Sequence, residues 1–167
     1  MKYVTAHEMP DSFIPLTSRP LALSPGNVYG FAAGQFGAMI SGSWYKRGAS
    51  QAEAVAHVLT RLDELHASFP PSIVLLHTGK KVHSSSSKGA INSRIQAVKR
   101  WADEKAIPVA IVADSAIRRS FTGRGTANAN AIAWEAERRG IMVAGSPEAF
   151  AVALLDWTMG SKSIASA

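Results

Sequence analysis

Cysteine is absent from this chain of 167 residues, which excludes disulfide bonds and thiolate metal sites. Long apolar runs are also absent, and a helix that crosses a bilayer needs about 20 consecutive apolar residues. The first residues, MKYVTAHEMPDSF, lack the apolar core of a signal peptide. These absences predict a soluble protein that is not secreted by a signal peptide and has no membrane partner.

Acidic residues are scarce, since 12 Asp and Glu stand against 18 Lys and Arg and give a formal net charge of +6. A basic balance favours an acidic partner such as nucleic acid, although many basic proteins bind none. Hydrophobic residues make up 47% of the chain, which is typical of a globular protein and argues against disorder. The length is that of one domain with a single core.

Five β-rich runs follow an irregular N-terminal arm, residues 1–19. The runs cover residues 20–24, 28–33, 37–44, 72–77 and 107–112. Short turns join the first three, which predicts an antiparallel meander. The last two are continuous apolar runs, which predicts buried parallel strands.

Helical patterns separate and follow the last two strands. Ser50 and Glu53 form a predicted capping box that opens the first helix. Further helices are predicted over residues 89–105, 115–121, 126–139 (with Thr126 as the cap) and 146–159. The order predicts an α/β fold with a mixed five-stranded sheet, helices on both of its faces and a polar tail, residues 160–167.

Four stretches carry a family resemblance: LALSPGNVYGFA, SIVLLHT, RIQAVKRWADEKAIPVAIVADSAIRRSFTGRGTANANAI and SPEAFAVALLDW. In this order, and on these elements, they resemble the RuvC-like Holliday-junction resolvases in their short phage form, within the ribonuclease-H-like superfamily. The resemblance covers residues 20–157 and implies a ribonuclease-H-like domain over residues 20–159. It also implies a homodimer, and a location in the host cytoplasm or the virion.

The resemblance implies a nuclease site whose carboxylates hold two divalent ions, usually Mg²⁺. In this sequence the corresponding positions are Ser24, either Leu76 or His77, and Ser146 and Phe150. None of them is a carboxylate, and the sequence leaves the choice between Leu76 and His77 open. We therefore expect a pseudo-nuclease with no catalytic residues, no metal and no cofactor.

Two basic segments are candidate nucleic-acid-binding sites. The residues concerned are Lys80, Lys81, Lys88, Arg118, Arg119 and Arg124. The lysines lie in a serine-rich loop that either binds phosphates or is simply solvated. The arginines lie where the family has a basic turn that contacts DNA, and the alternative is an ordinary charged helix surface. The Lys that follows this turn in the family is replaced by Asn128 or Asn130.

Two histidines, His77 and His83, suggest a metal site completed by Asp114 or Glu148. Two histidines without a third placed ligand make a weak site. The simpler interpretation is a histidine at a strand end and another in a loop, both exposed to water.

Three functions remain open. The first is a binding module that has lost cleavage and holds DNA, including branched or single-stranded DNA, through its phosphates. The second is a phage virion protein that uses the fold for contacts with other virion proteins in a larger assembly. The third is an active Mg²⁺-dependent junction endonuclease with relocated ligands such as Asp114 and Glu148, which are too few for two metals. The arginine cluster slightly favours the first.

Overall fold

The strands form one mixed sheet in a computed structural model that describes residues 4–5, 19–26, 28–35, 38–77 and 85–163. They are β1 Val4–Thr5, β2 Pro20–Ser24, β3 Tyr29–Gln35, β4 Ala38–Trp44, β5 Ile73–His77 and β6 Val109–Val112. Their order is β1-β6-β5-β2-β3-β4. Strands β2, β3 and β4 are antiparallel, whereas β2, β5, β6 and β1 are parallel. The five predicted strands are confirmed, and β1 is a sixth that lies within the arm predicted to be irregular.

The helices are α1 Gln51–Ser68, α2 Ser85–Glu104, α3 Asp114–Thr122, α4 Ala129–Arg138 and α5 Ser146–Ser163. The predicted capping box of α1 is confirmed. The Ser50 hydroxyl accepts from the Glu53 backbone N–H at 3.3 Å, and the Glu53 carboxylate accepts from the Ser50 N–H at 2.7 Å. These two bonds satisfy donors that the start of a helix otherwise leaves unpaired.

The largest differences from the predicted helix boundaries occur at three helix ends. Helix α2 begins at Ser85 rather than residue 89, so the serine run belongs partly to the helix. The prediction of Thr126 as the cap of α4 is wrong, because Asn128 is the cap and its side-chain oxygen accepts from the Ala131 N–H at 2.9 Å. Helix α5 continues past residue 159 to Ser163.

The two faces of the sheet carry separate parts of the core, and β5 shows the division. Val74 and Leu76 pack with α1 and α2 on one face, whereas Ile73 and Leu75 pack with α3, α4 and α5 on the other. This alternation is the period of two expected of a strand. Helix α5 packs across β2, β3, β4 and β5, which explains its apolar composition. None of the helices in the described ranges is long and apolar enough to cross a membrane.

An ionic network joins α3, α4 and α5, the three helices that cover the same face of the sheet. Glu135 accepts from Arg138 at 2.7 and 2.9 Å and from Arg139 at 2.9 Å. Arg139 also donates to Asp156 at 3.2 Å and to the Phe121 carbonyl at 2.8 Å. Hydrogen bonds to the Glu135 carboxylate, of which the one from Arg138 has the largest effect, lower the pKa of Glu135 from 4.5 to about 2. Burial raises the pKa of Asp156 against the opposing charge of Arg139.

We expect these two carboxyl groups to give opposite dependences of stability on pH. The pKa of Glu135 is lowered to about 2 in the folded state, so its contribution is present above the unfolded value of 4.5 and is lost as the pH falls toward 2. The pKa of Asp156 is raised in the folded state, so its contribution is present at low pH and is lost as the pH rises through the folded value.

Urea unfolding of the parent, Glu135→Gln and Asp156→Asn between about pH 2 and pH 7 measures both effects. The stability difference between parent and Glu135→Gln should shrink toward the acid end. The Asp156→Asn variant should gain relative to the parent as the pH rises. Parallel curves for all three proteins would contradict the assignment.

Candidate functional site

Three polar side chains meet at one edge of the sheet. Ser24 is the last residue of β2, and His77 is the last residue of β5. Asp114 is the first residue of α3, which starts just after β6. Because β2, β5 and β6 are parallel neighbours, their carboxyl ends lie at the same edge, which is where open α/β sheets bind ligands.

The three side chains form a continuous hydrogen-bonded chain. His77 Nδ1 lies 2.8 Å from Asp114 Oδ1, and His77 Nε2 lies 2.9 Å from Ser24 Oγ. A carboxylate only accepts hydrogen bonds, so Nδ1 is the donor to Asp114. In a neutral imidazole Nε2 is then an acceptor, and the Ser24 hydroxyl donates to it. Asp114 therefore fixes both the tautomer and the orientation of the His77 ring.

These three side chains border a cavity of about 390 Å³. The lining residues are Ser24, Pro25, Gly26, Val28, His77, Asp114, Arg118, Ser146, Pro147 and Phe150. The Phe150 ring packs on the His77 ring with their centroids 4.6 Å apart. The wall is thus mainly apolar around a small polar group, as in many small-molecule sites.

Arg118 contributes the cationic part of the wall and is itself buried. Its guanidinium carbon lies 5.0 Å from the Phe150 ring centroid. One guanidinium nitrogen donates to the Ala127 carbonyl, and another lies 4.0 Å from Asp114 Oδ2. Arg118 therefore ties the cavity to the turn before α4.

The first turn of α5 forms the opposite wall because it packs closely on β3. Gly30 of β3 pairs with Ser24 in the sheet. A Cβ atom on Gly30 would lie 1.9 Å from the Pro147 carbonyl oxygen and 2.6 Å from the Glu148 nitrogen. The absence of a side chain at Gly30 is what allows Ser146 and Pro147 to reach the cavity.

Glu148 is buried but is not among the residues that line the cavity. Its Oε1 atom accepts from the Ser41 hydroxyl at 2.7 Å, and its Oε2 atom accepts from the Ala144 N–H at 2.7 Å. The carboxylate thus joins α5 to β4 and to the preceding loop. The structure does not bring Glu148 and Asp114 together as the hypothesis of relocated ligands requires.

The structure gathers most of the residues that the resemblance places in the nuclease site. Ser24, His77, Ser146 and Phe150 line the same cavity, whereas Leu76 packs on the other face of the sheet. The expectation of a water-exposed His77 is wrong, because only 6% of the residue is accessible. His83 lies outside the described residues.

The predicted basic residues fall into different environments. Arg119 and Arg124 are exposed, whereas Arg118 is buried in the cavity wall. Lys88 lies on α2, and Lys80 and Lys81 are outside the described residues. Of the two asparagines considered at the position of the family Lys, Asn128 caps α4 and Asn130 is exposed on that helix.

The residues present do not fit a two-metal centre. Mg²⁺ takes oxygen ligands in near-ideal octahedral geometry, and carboxylates supply most of its charge compensation in proteins. Among the described residues that line the cavity there is one carboxylate, Asp114, which already accepts from His77. Within the part of the chain that the structure describes, no group of three or more His, Cys, Asp or Glu side chains could hold a metal ion.

The fold is ribonuclease-H-like, as predicted, and solved structures share it. Thermus thermophilus RuvC is 17% identical, with 87% of this chain and 96% of that chain covered and a TM-score of 0.61. RuvC from the same organism in complex with a Holliday junction substrate is 16% identical, with 84% of this chain and 91% of that chain covered and a TM-score of 0.67. The yeast mitochondrial Holliday junction resolvase is 12% identical, with 92% and 84% covered and a TM-score of 0.59.

At these identities the likeness concerns the fold alone. No protein-family model matches the chain, and no curated protein matches its sequence.

The hydrogen-bonded chain of Ser24, His77 and Asp114 was not predicted from the sequence. The sequence pointed to Ser24 as a degenerate nuclease position, and to His77 and Asp114 as ligands of one hypothetical metal site. A signal was nevertheless present, since Ser24 and His77 end apolar strands and Asp114 follows another. Their separations of 53 and 37 residues along the chain give no local motif, so only the sheet topology reveals the group.

Proposed function

We propose that this chain binds DNA through its phosphates on a ribonuclease-H-like scaffold and does not cleave DNA by the two-metal mechanism. The observation that carries the proposal is the composition of the strand-end cavity. Ser24, His77 and Phe150 line it at positions where the resemblance puts metal ligands. Without those carboxylates the site cannot hold and offset two divalent ions.

The DNA part of the proposal is supported by the surface beside the cavity. Helix α3 starts in the cavity wall at Asp114 and leads to the exposed Arg119. The Arg119 guanidinium lies beside Gly125, so it is near the exposed Arg124. Two exposed guanidinium groups suit phosphate oxygens, which they bind through paired N–H donors.

A shallow hollow adjoins these arginines. Arg124, Thr126, Ala127, Asn128 and Ala131 line it, and its volume is about 190 Å³. Backbone and side-chain donors at the start of a helix commonly contact phosphates. We therefore assign phosphate binding to Arg119 and Arg124, and to Arg118 the supporting role of holding the Ala127 carbonyl.

The RuvC structure with a Holliday junction substrate suggests the form of DNA to test first. We expect a labelled four-way junction to bind with an affinity that falls steeply as salt increases. The double variant that carries both Arg119→Ala and Arg124→Ala should bind the junction about tenfold more weakly at low salt. Each lost phosphate contact should lower the slope of log affinity against log salt by about 0.9, or about two for the pair.

The matched control is Arg100→Ala. Arg100 is exposed on α2, which packs on the face of the sheet away from α3. This variant should keep both the affinity and most of the salt slope. Fluorescence anisotropy on the junction and a matched duplex, with and without Mg²⁺, measures all three proteins, and gel analysis of the same samples scores cleavage.

Two results would overturn the proposal. Failure to bind either DNA at low salt would remove the nucleic-acid function and leave contacts with other proteins as the use of the fold. Mg²⁺-dependent cleavage would show an active nuclease if the activity stays with the protein through purification and is lost in a variant of this chain.

A further inference from the structure

We propose that Ser24, His77 and Asp114 form a nucleophilic triad that hydrolyses esters of short acyl chains in the strand-end cavity. This activity goes beyond DNA binding and does not depend on it. The class of substrate is a small carboxylic ester, and no metal takes part.

The atoms of the three side chains stand in the order that nucleophilic catalysis by serine requires. Ser24 Oγ lies 2.9 Å from His77 Nε2, and in the neutral tautomer that Asp114 favours the hydroxyl donates to Nε2, so the base that would accept its proton is already in place. Asp114 accepts from His77 Nδ1 at 2.8 Å and stabilises the imidazolium that forms when Nε2 takes the proton. Such a triad is recognised by the geometry and roles of its members, not by their order in the sequence.

The position of the three linked side chains favours a catalytic role over a purely structural one. All three residues line the cavity, so a small molecule bound there would lie next to Ser24. Burying a linked Ser, His and Asp costs desolvation energy, and well-packed apolar residues usually stabilise a strand end at least as well. A group that is costly for stability and faces a cavity is a candidate for function.

The cavity also supplies partial positive charge near Ser24. The first turn of α5 lines it through Ser146 and Pro147, and of these two residues only Ser146 has a backbone N–H, because proline has none. The helix dipole also favours a negative charge at this end. We expect the Ser146 N–H and the dipole to stabilise an oxyanion that develops on the substrate carbonyl near Ser24.

The size and lining of the cavity define the substrate. A volume of about 390 Å³ is at the lower end of small-molecule sites, which span about 300–1,000 Å³. Val28, Pro147 and Phe150 provide apolar walls for an acyl chain of a few carbons. Phosphodiester hydrolysis would need several cations, and Arg118, the only arginine among the described lining residues, already lies near Asp114.

The reaction proceeds in two balanced steps. Ser24 Oγ bonds to the ester carbonyl carbon while its proton moves to His77 Nε2, and the carbon–oxygen bond to the alcohol breaks. The leaving alkoxide takes the proton from Nε2 and departs as the alcohol. Water then attacks the acyl-serine with His77 as the base. The acid is released, and the proton returns from Nε2 to Ser24 Oγ.

The first experiment labels the parent protein with a fluorophosphonate probe and maps the adduct by mass spectrometry. We expect one adduct, on Ser24. Hydrolysis of p-nitrophenyl acetate and butyrate should show a burst followed by turnover. In Ser24→Ala the label should vanish and turnover should fall about 100-fold or more. The matched control, Ser120→Ala, changes an exposed serine on α3 and should keep both.

Asp114 acts through His77 and is therefore a positioning residue, so its test separates kcat from KM. The amide of Asp114→Asn can donate to His77 Nδ1 as well as accept from it and carries no charge, so it neither enforces the tautomer nor stabilises the imidazolium. We expect a fall in kcat of about 100-fold or more with little change in KM. A loss caused only by misfolding would instead reduce the fraction of active protein. Active-site titration with the probe measures that fraction.

The proposal is wrong if folded parent protein gives no adduct on Ser24, or if Ser24→Ala hydrolyses the esters as fast as the parent. Mapping on the parent alone decides the first point, whatever the stability of the variants. The outcome is separate from that of DNA binding. The Arg119→Ala and Arg124→Ala variant should label normally, and Ser24→Ala should bind the junction like the parent.

Discussion

Gly30→Ala is expected to lower the free energy of unfolding by about 3 kcal/mol, at the upper end of the usual cost of overpacking. The added Cβ would lie 1.9 Å from the Pro147 carbonyl oxygen and 2.6 Å from the Glu148 nitrogen. Both are backbone atoms, so no side chain can move to make room. The first turn of α5 must instead separate from β3, and that separation also opens the wall of the cavity next to Ser24.

Urea unfolding followed by circular dichroism measures the change, and Gly89→Ala is the matched control. A Cβ on Gly89 would meet nothing within 4 Å, and this residue lies inside α2. The control should therefore stabilise the protein by about 0.5–1 kcal/mol, because alanine favours a helix over glycine. A Gly30→Ala variant as stable as the parent would contradict the close packing of α5 on β3.

The parts of the fold that local chemistry determines could be predicted from the sequence. Ser50 and Glu53 satisfy each other's backbone donors, so the start of α1 is readable from four residues. The strand β1 could not be found in this way, because Val4–Thr5 is too short to show a period. Its pairing, Val4 with Ala110 and Thr5 with Ile111, depends on a strand that lies far away in the sequence.

The candidate site also depends on contacts between residues that lie far apart in the sequence. β5 is buried along its whole length, so its residues show no alternation between polar and apolar that would reveal which face each one occupies. The sequence therefore could not choose between Leu76 and His77. The packing of α1 and α2 on one face and of α5 on the other separates the two residues, because Leu76 lies among the first group and His77 contacts Phe150.

The resemblance implies several carboxylates at the strand-end cavity, where this chain has Ser24, His77, Ser146 and Phe150. Several carboxylates at one place repel one another unless cations offset their charge. Among the described lining residues Asp114 is the one carboxylate, and Arg118 lies 4.0 Å from it. The hydrogen bond from His77 and the nearby Arg118 both offset the charge of Asp114.

Glu148→Ala is expected to lower the free energy of unfolding by about 2 kcal/mol, the cost of leaving polar groups without their partners. The substitution removes the acceptor of the Ser41 hydroxyl and of the Ala144 N–H, both at 2.7 Å. It also leaves a gap, since Glu148 is only 5% exposed. Glu148→Gln should cost less because the amide keeps one oxygen as an acceptor for the Ala144 N–H.

The same variants distinguish a structural carboxylate from a relocated metal ligand. Thermal unfolding of the parent, Glu148→Ala and Glu148→Gln with and without Mg²⁺ makes the measurement. Glu137→Ala serves as the control, because Glu137 is exposed on α4 and its loss should change stability by less than about 0.5 kcal/mol. We expect the loss in Glu148→Ala to be the same in both conditions. A loss that appears only with Mg²⁺ would mean that Glu148 holds a metal ion, and the bonds to Ser41 and Ala144 would then be secondary.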